Sequence, residues 1–195
     1  MTIALREGMN LSRLHHSAFL VALSILSVPA SSAASPIDVA VERGSDSAYV
    51  VEAAFDVNVP ASITWDVLTD YEGIGRFVSS IRQSTIKSRE PGRVLLEQHG
   101  VGRAWIISLP MHVVLDVREH NHQSLAFHDI CGKSFSVYEG TWALSAIEGG
   151  TRVTYRLRAD PTGRQPVMLA KSAIRGSVKQ LLDEVRQEML TRAAR

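Results

Sequence analysis

From Tyr49 to Val57 the chain alternates: Tyr49, Val51, Ala53, Phe55 and Val57 fall on one side, Glu52 and Asp56 on the other. A period of two is that of a half-buried β-strand. Pro60 breaks the alternation, and Ala61, Trp65 and Leu68 then recur at helical spacing behind a proline near the first turn. Asp70-Tyr71-Glu72-Gly73 ends that helix, and Ile74, Phe77, Val78 and Ile81 predict a second short apolar-faced helical piece.

Between Ile81 and Ala159 the pattern becomes strands separated by Pro91-Gly92, Gly100-Val101-Gly102, His120-Asn121, Gly132-Lys133 and Gly149-Gly150. Connections this short join antiparallel neighbours, because a parallel crossover needs a dozen or more residues. The clearest alternation sets Trp105, Ile107, Leu109, Met111, Val113, Leu115 and Val117 against Ile106, Ser108, Pro110, His112, Val114, Asp116 and Arg118. Leu125 and Phe127 alternate with Ala126 and His128, and Val153, Tyr155 and Leu157 with Arg152, Thr154, Arg156 and Arg158. From Phe135 to Ala146 both faces are apolar and the register stays open, with Glu139-Gly140 the place where a bulge would fall.

After the loop Asp160 to Pro166, the residues Val167, Ala170, Ile174, Val178, Leu181, Val185 and Met189 recur at three and four, which predicts a long helix to about Arg192 with one apolar face. The receiving surface large enough for that face is the apolar side of the sheet. The predicted class is therefore α+β: one curved antiparallel sheet of about seven strands wrapped around a long C-terminal helix, with two short helices after the first strand.

The first residues differ from all of this. Arg6, Arg13, His15 and His16 precede the apolar run AFLVALSILSV and then PASSAAS. A basic region, an apolar stretch short for a membrane span and small residues before the cut read as a secretory signal. A retained N-terminal anchor is the competing reading. The expected organisation is a signal peptide over 1–34, cleaved after Ala33 or Ala34, a polar linker over 35–47 and one ligand-binding domain over 48–193, in a periplasmic or secreted protein. Removing 1–34 takes Arg6, Arg13 and Glu7 and leaves acidic and basic side chains in equal number. That balance argues against a nucleic-acid partner held by phosphate neutralisation. Cys131 is the single cysteine, so stability comes from the core rather than an intrachain disulfide, and the thiol reads as structural.

The stretch LTDYEGIGRFV over 68–78 contains Gly73 and Gly75, but Val78 stands where a dinucleotide fingerprint needs its third glycine and a helix stands where it needs a strand. The glycines read instead as a tight turn between helical pieces.

The order of elements, together with VEAAFDVNVPASITWDVLTDYEGIGRFVSSIRQS, LLEQHGVG around Gln98, YEGTW at Tyr138 to Trp142, GTRVTYRLRADP at Gly150 to Pro161 and the long last helix, resembles the START-like helix-grip superfamily. The chain is most similar to its polyketide cyclase/dehydrase and lipid-transport group, especially the coenzyme Q-binding branch. The resemblance implies a hydrophobic ligand held between sheet and helix, and it turns LTDYEGIGRFV into a turn at the cavity entrance.

Laid on that cavity, the expected ligand contacts are Phe77, Leu96, Gln98, Trp105, Ile107, Met111, Val113, Phe127, Trp142, Tyr155 and Ile174. If Glu97 and His99 face solvent, then Val94, Leu96 and Gln98 face inward. Gln98 and Tyr155 are the polar groups for a ligand carbonyl or hydroxyl, or they are satisfied by backbone and buried water. Arg164 could attract an acidic head group or sit solvated in its loop. His120 and His122 lack the carboxylate or cysteine that would complete a metal set, His112 and His128 fall outward, and no cofactor or metal is expected. GxSxG, HExxH and P-loop patterns are absent from the sequence.

The leading functional expectation is an exported carrier for a lipid, isoprenoid or polyketide-like molecule, which needs only the cavity. A cyclase or dehydratase using Tyr155, Gln98 or Asp129 in the same cavity is the alternative, and an interaction domain whose helix fills the grip is a third. No catalytic residue is assigned. The outward stripe Arg152, Arg156 and Arg158 is either a surface for transient membrane contact or a solvated sheet face.

Overall fold

In the computed structural model, residues 36–104, 107–162 and 167–195 are described. The signal peptide and its cleavage site, Trp105 and Arg164 lie outside them, as do the side chains of 103–109 and 167–169.

Eight strands form one antiparallel sheet: β1 (Asp38–Arg43), β2 (Tyr49–Val57), β3 (Ile81–Glu90), β4 (Arg93–Ala104), β5 (Ile107–His120), β6 (Ser124–Asp129), β7 (Phe135–Ile147) and β8 (Gly150–Pro161). Their order is β1-β2-β8-β7-β6-β5-β4-β3. The meander from β3 to β8 is as expected, and β2 closes onto β8 with Val51 opposite Leu157 and Phe55 opposite Val153. Between β2 and β3 lie helix α1 (Ala61–Leu68) and a single 3₁₀ turn over Ile74–Arg76; the long helix α2 (Val167–Ala193) follows β8.

The segment expected as linker contains a strand. Val39 and Val41 are buried while Asp38, Ala40 and Glu42 are exposed, and β1 pairs along β2 with Val41 opposite Val51. Two apolar residues are too short a period to read alone; the open edge of β2 supplies the pairing that makes them a strand. The sheet therefore has eight strands rather than about seven. Arg175 of α2 donates from Nε to the Val39 carbonyl at 3.1 Å, tying this edge to the helix.

The register left open in β7 resolves with Tyr138, Gly140, Trp142 and Leu144 on the core face, Trp142 standing opposite Tyr155. The irregularity falls between Phe135 and Val137, not at Glu139-Gly140. Gly140 is in register and is glycine for a different reason: a Cβ there would lie 2.4 Å from the Arg156 carbonyl oxygen and 2.6 Å from the Phe127 ring. The aromatic ring occupies the space a side chain would take.

Helix α2 explains how the core divides. Along its C-terminal half, Leu182, Val185 and Met189 are almost completely buried against the sheet. Along its N-terminal half the inward positions are Ala170, Ala173, Ile174 and Ser177. Small side chains over a concave sheet leave space that large ones further along fill.

The turn after α1 is stitched by one carboxylate. Asp70 Oδ1 accepts the Gly73 N–H at 3.1 Å, and Oδ2 accepts Arg76 Nη2 at 2.9 Å and Arg192 Nη2 at 2.6 Å. A Cβ on Gly73 would collide with that carboxylate and with Arg76, so the glycine is required by close approach, not by a phosphate.

Candidate functional site

The unfilled half of the grip is a cavity of about 410 Å³ between α2 and the sheet. Its wall comes from β4 (Gln98, Val101), β5 (Pro110, Met111), β7 (Phe135, Tyr138), β8 (Tyr155, Leu157, Ala159) and α2 (Ala170, Ala173, Ile174, Val178, Leu181). Ser79, Ser80, Gln180, Lys133 and Thr162 add polar groups to the lining. The segment before β3 is fixed to the helix: Glu184 accepts the Ser79 N–H at 3.0 Å and its hydroxyl at 2.6 Å, and Gln180 Nε2 donates to Ser79 Oγ at 2.8 Å.

Of the expected contacts, Gln98, Met111, Tyr155 and Ile174 line this cavity. Leu96, Val113, Phe127 and Trp142 are buried in the surrounding core and do not line it. Phe77 sits away from the cavity, beneath the Arg192 guanidinium, whose carbon lies 5.6 Å from the ring centre. The lining begins at Ser79, so the GIG turn supports this end of the wall without forming it. Trp105 lies outside the described residues, and of Ile107 only the backbone, in β5, lies within them.

Three polar side chains stand in the apolar part of the wall. Gln98, opposite Ser84 in the β3–β4 register, donates from Nε2 to Ser84 Oγ at 3.1 Å. Tyr155 is 2% exposed and its ring lies 4.5 Å from that of Trp142, yet its hydroxyl makes no hydrogen bond among the described residues. Since no fully buried side-chain oxygen or nitrogen among those residues lacks a partner, that hydroxyl opens to the cavity. Tyr138, which stacks on Phe135 at 4.5 Å, is the polar group sequence reasoning missed. The β7 register would have found it, and that register is set by pairing rather than by the residues of β7.

Burial pushes the Tyr138 phenol up to about 12, with the negative charge of Asp129 adding to the effect. Burial likewise holds the Tyr155 phenol well above its ordinary value, and Tyr138 adds to it. Both are hydrogen-bond donors throughout the neutral range. Asp129, named above as a candidate for chemistry, lies elsewhere: its carboxylate accepts the backbone N–H groups of Val114, Cys131 and Gly132 at 2.8 to 3.1 Å and orders the β6–β7 loop. Cys131 is half-buried in that loop with its thiol 3.7 Å from the His112 carbonyl oxygen.

Outside the cavity, His122 sits edge-on to Trp65 with ring centres 5.2 Å apart. The arginine stripe is paired: Arg152 with Asp56, Arg156 with Glu52, and Arg158 with Asp46 and Glu139.

The family model for "Polyketide cyclase / dehydrase and lipid transport" matches residues 49–189. The chain belongs to that family. Solved structures repeat the grip at low identity. A STAR-related lipid transfer protein from Xanthomonas axonopodis is 16% identical with a TM-score of 0.65, over 80% of this chain and 95% of that one. Human STARD10 is 13% identical with a TM-score of 0.63, over 81% and 71%. The Zhui aromatase/cyclase from Streptomyces sp. R1128 is 15% identical with a TM-score of 0.59, over 75% and 93%. At these identities the likeness is one of fold. No curated protein sequence matches the chain.

Proposed function

We propose that this family member is an exported carrier that holds a hydrophobic small molecule, of lipid, isoprenoid or polyketide-like type, in the cavity between the sheet and α2. The observation that carries the reading is the half-filled grip: about 410 Å³ walled mainly by hydrocarbon, with Gln98, Tyr138 and Tyr155 as aimed polar groups. Ligand sites are built this way, and 410 Å³ lies inside their usual range of roughly 300–1,000 Å³. Apolar volume left unfilled is costly, so an occupant stabilises the fold.

A cyclase or dehydratase is the second reading, favoured by the family description and by the aromatase/cyclase among the structural neighbours. Among the described lining residues, however, none is a carboxylate or an imidazole. The two phenols are donors at neutral pH, suited to gripping a carbonyl or hydroxyl and unsuited to removing a proton. That inventory supports holding over acid–base turnover. Export rests on the basic start, the short apolar run and the small residues at Ala33 and Ala34.

Native mass spectra of protein purified without refolding, before and after organic extraction, test the carrier. A discrete extractable mass is expected. Protein without bound mass, and without a mass shift on adding fatty acids or isoprenoid alcohols, would sink it. N-terminal sequencing of the exported protein should begin at Ala34 or Ser35; an intact Met1 or Met9 start would remove the export element alone.

A further inference from the structure

On the sheet face opposite the cavity, the hairpin of β4 and β5 places His99 directly across from His112. Glu97 shares the face because it lies two residues before His99, whereas Gln98 between them turns into the cavity. The two imidazoles stack with centroids 4.2 Å apart and planes 23° from parallel. Both present Nε2 to one oxygen: Glu97 Oε1 is 2.9 Å from His112 Nε2 and 3.7 Å from His99 Nε2. The second oxygen, Oε2, takes Lys87 Nζ at 3.1 Å, which orients the carboxylate and leaves Oε1 to the rings. One ligand atom from each of the three residues lies within 4.8 Å of the others.

Such convergence has a chemical meaning. Zinc bonds to imidazole nitrogen and carboxylate oxygen are about 2.0–2.2 Å, so donor atoms around a tetrahedral ion stand roughly 3.3–3.5 Å apart. The 2.9 and 3.7 Å separations bracket that edge, and the stacked rings must turn toward each other for both in-plane nitrogen lone pairs to meet one ion. We propose that Glu97, His99 and His112 form a binding site for a divalent transition-metal ion of the zinc class, on the outer face of the β4–β5 hairpin. Two imidazole nitrogens and one carboxylate oxygen suit zinc, cobalt, nickel or copper(II) rather than magnesium or calcium, which take oxygen ligands. The side chains of Glu97 and His112 are 26% and 22% exposed and that of His99 46%, so the ion's remaining position faces solvent and takes water or a group from a second molecule. Lys87 is a cation beside the site, so it weakens the ion it helps to orient for.

The test is a cobalt(II) titration of the full chain carrying no affinity tag, followed by visible absorption and by zinc calorimetry. The expected result is one ion per chain with the intense bands of four-coordinate cobalt. His99→Ala, His112→Ala and Glu97→Gln should each weaken binding by at least about tenfold, the cost typical of disturbing a metal site, with far-UV circular dichroism unchanged. Lys87→Met should tighten it. Absence of the cobalt bands up to millimolar ion would overturn the proposal. So would uptake that all three variants retain, because the ion would then sit on other groups such as His15 and His16 or His120 and His122. Should a variant misfold, paramagnetic broadening in the unaltered protein decides: the His99 and His112 ring signals must broaden at the first equivalent of cobalt, and selective broadening of other histidines instead refutes the site.

Discussion

Arg192, in the last turn of α2, donates from Nη2 to Asp70 Oδ2 at 2.6 Å, and through that one carboxylate the C-terminal helix holds the turn that leads into the cavity wall. Burial pushes the Asp70 carboxyl up, but the hydrogen bond and charge of Arg192, with the charge of Arg76, outweigh it and hold the group below its usual value. A carboxyl depressed in the folded state stabilises above its unfolded pKa, and that stabilisation is lost as pH falls through the folded value. Asp70→Asn should therefore cost about 1–2 kcal/mol at pH 7, from the ion pairs and the altered turn hydrogen bond. The difference from the unaltered protein should shrink as pH falls from the unfolded carboxylate range of about 4 toward the depressed folded value, below which both carry a neutral side chain. Urea unfolding at pH 7 and pH 3 checks both; an equal cost at the two pH values would assign the effect to shape rather than charge.

Tyr155→Phe removes a hydroxyl that no described residue bonds. Stability should stay within about 0.5 kcal/mol of the original, as for changes that break no interaction. Affinity for an isoprenoid alcohol should fall by roughly fivefold to tenfold, the worth of one hydrogen bond, while the matching hydrocarbon binds unchanged. Equal losses for both ligands would show that the ring position, and not the hydroxyl, had been disturbed.

Ala173→Phe places an aromatic ring on α2 where the cavity is open. The chain should fold, with a melting temperature equal or higher, and should lose the extractable ligand, because the added ring occupies the ligand's space. Leu182→Ala, one turn beyond Val178 and outside the cavity lining at a position with 0% exposure, should do the reverse and cost about 2–5 kcal/mol. Thermal unfolding and native mass spectra on the pair separate cavity from core. Strong destabilisation by Ala173→Phe would mean that the space is narrower than described.

Gly140→Ala should destabilise by about 1–3 kcal/mol, since the new Cβ meets the Arg156 carbonyl and the Phe127 ring at distances real atoms do not adopt. Phe127→Leu in the same chain should recover part of the loss by vacating the ring's space. Chemical denaturation of both variants and the combination gives the coupling, and strict additivity would refute the contact.

Much of the fold was legible in the chain because each long element carries its own period. The alternation around Val113, Leu115 and Val117 and the three-and-four spacing along α2 each report which face is buried, and burial is what the sheet and helix then realise. The same parity argument placed Gln98 inward between Glu97 and His99. Strand β1 was not legible: Val39 and Val41 alone carry too little pattern, and it is the edge of β2 that makes them a strand.

The candidate site divides along the same line. Inward parity named Leu96 and Val113 as readily as Gln98 and Tyr155, and aromatic character named Trp142, but facing the core differs from facing its unfilled part. Where the void lies depends on Ala170, Ala173 and Ser177 of α2 facing Tyr138 of β7 and Tyr155 of β8 across it, at least fifteen positions earlier in the sequence. The meeting of His99 with His112, thirteen positions apart, likewise exists only through the β4–β5 register. Local periodicity, which depends on each residue's own neighbours, determined seven strands, the long helix and, outside β7, the face each buries. Pairing between distant segments, whose register and packing no single segment contains, decided the eighth strand, the position of the cavity and the side chains that converge on one point.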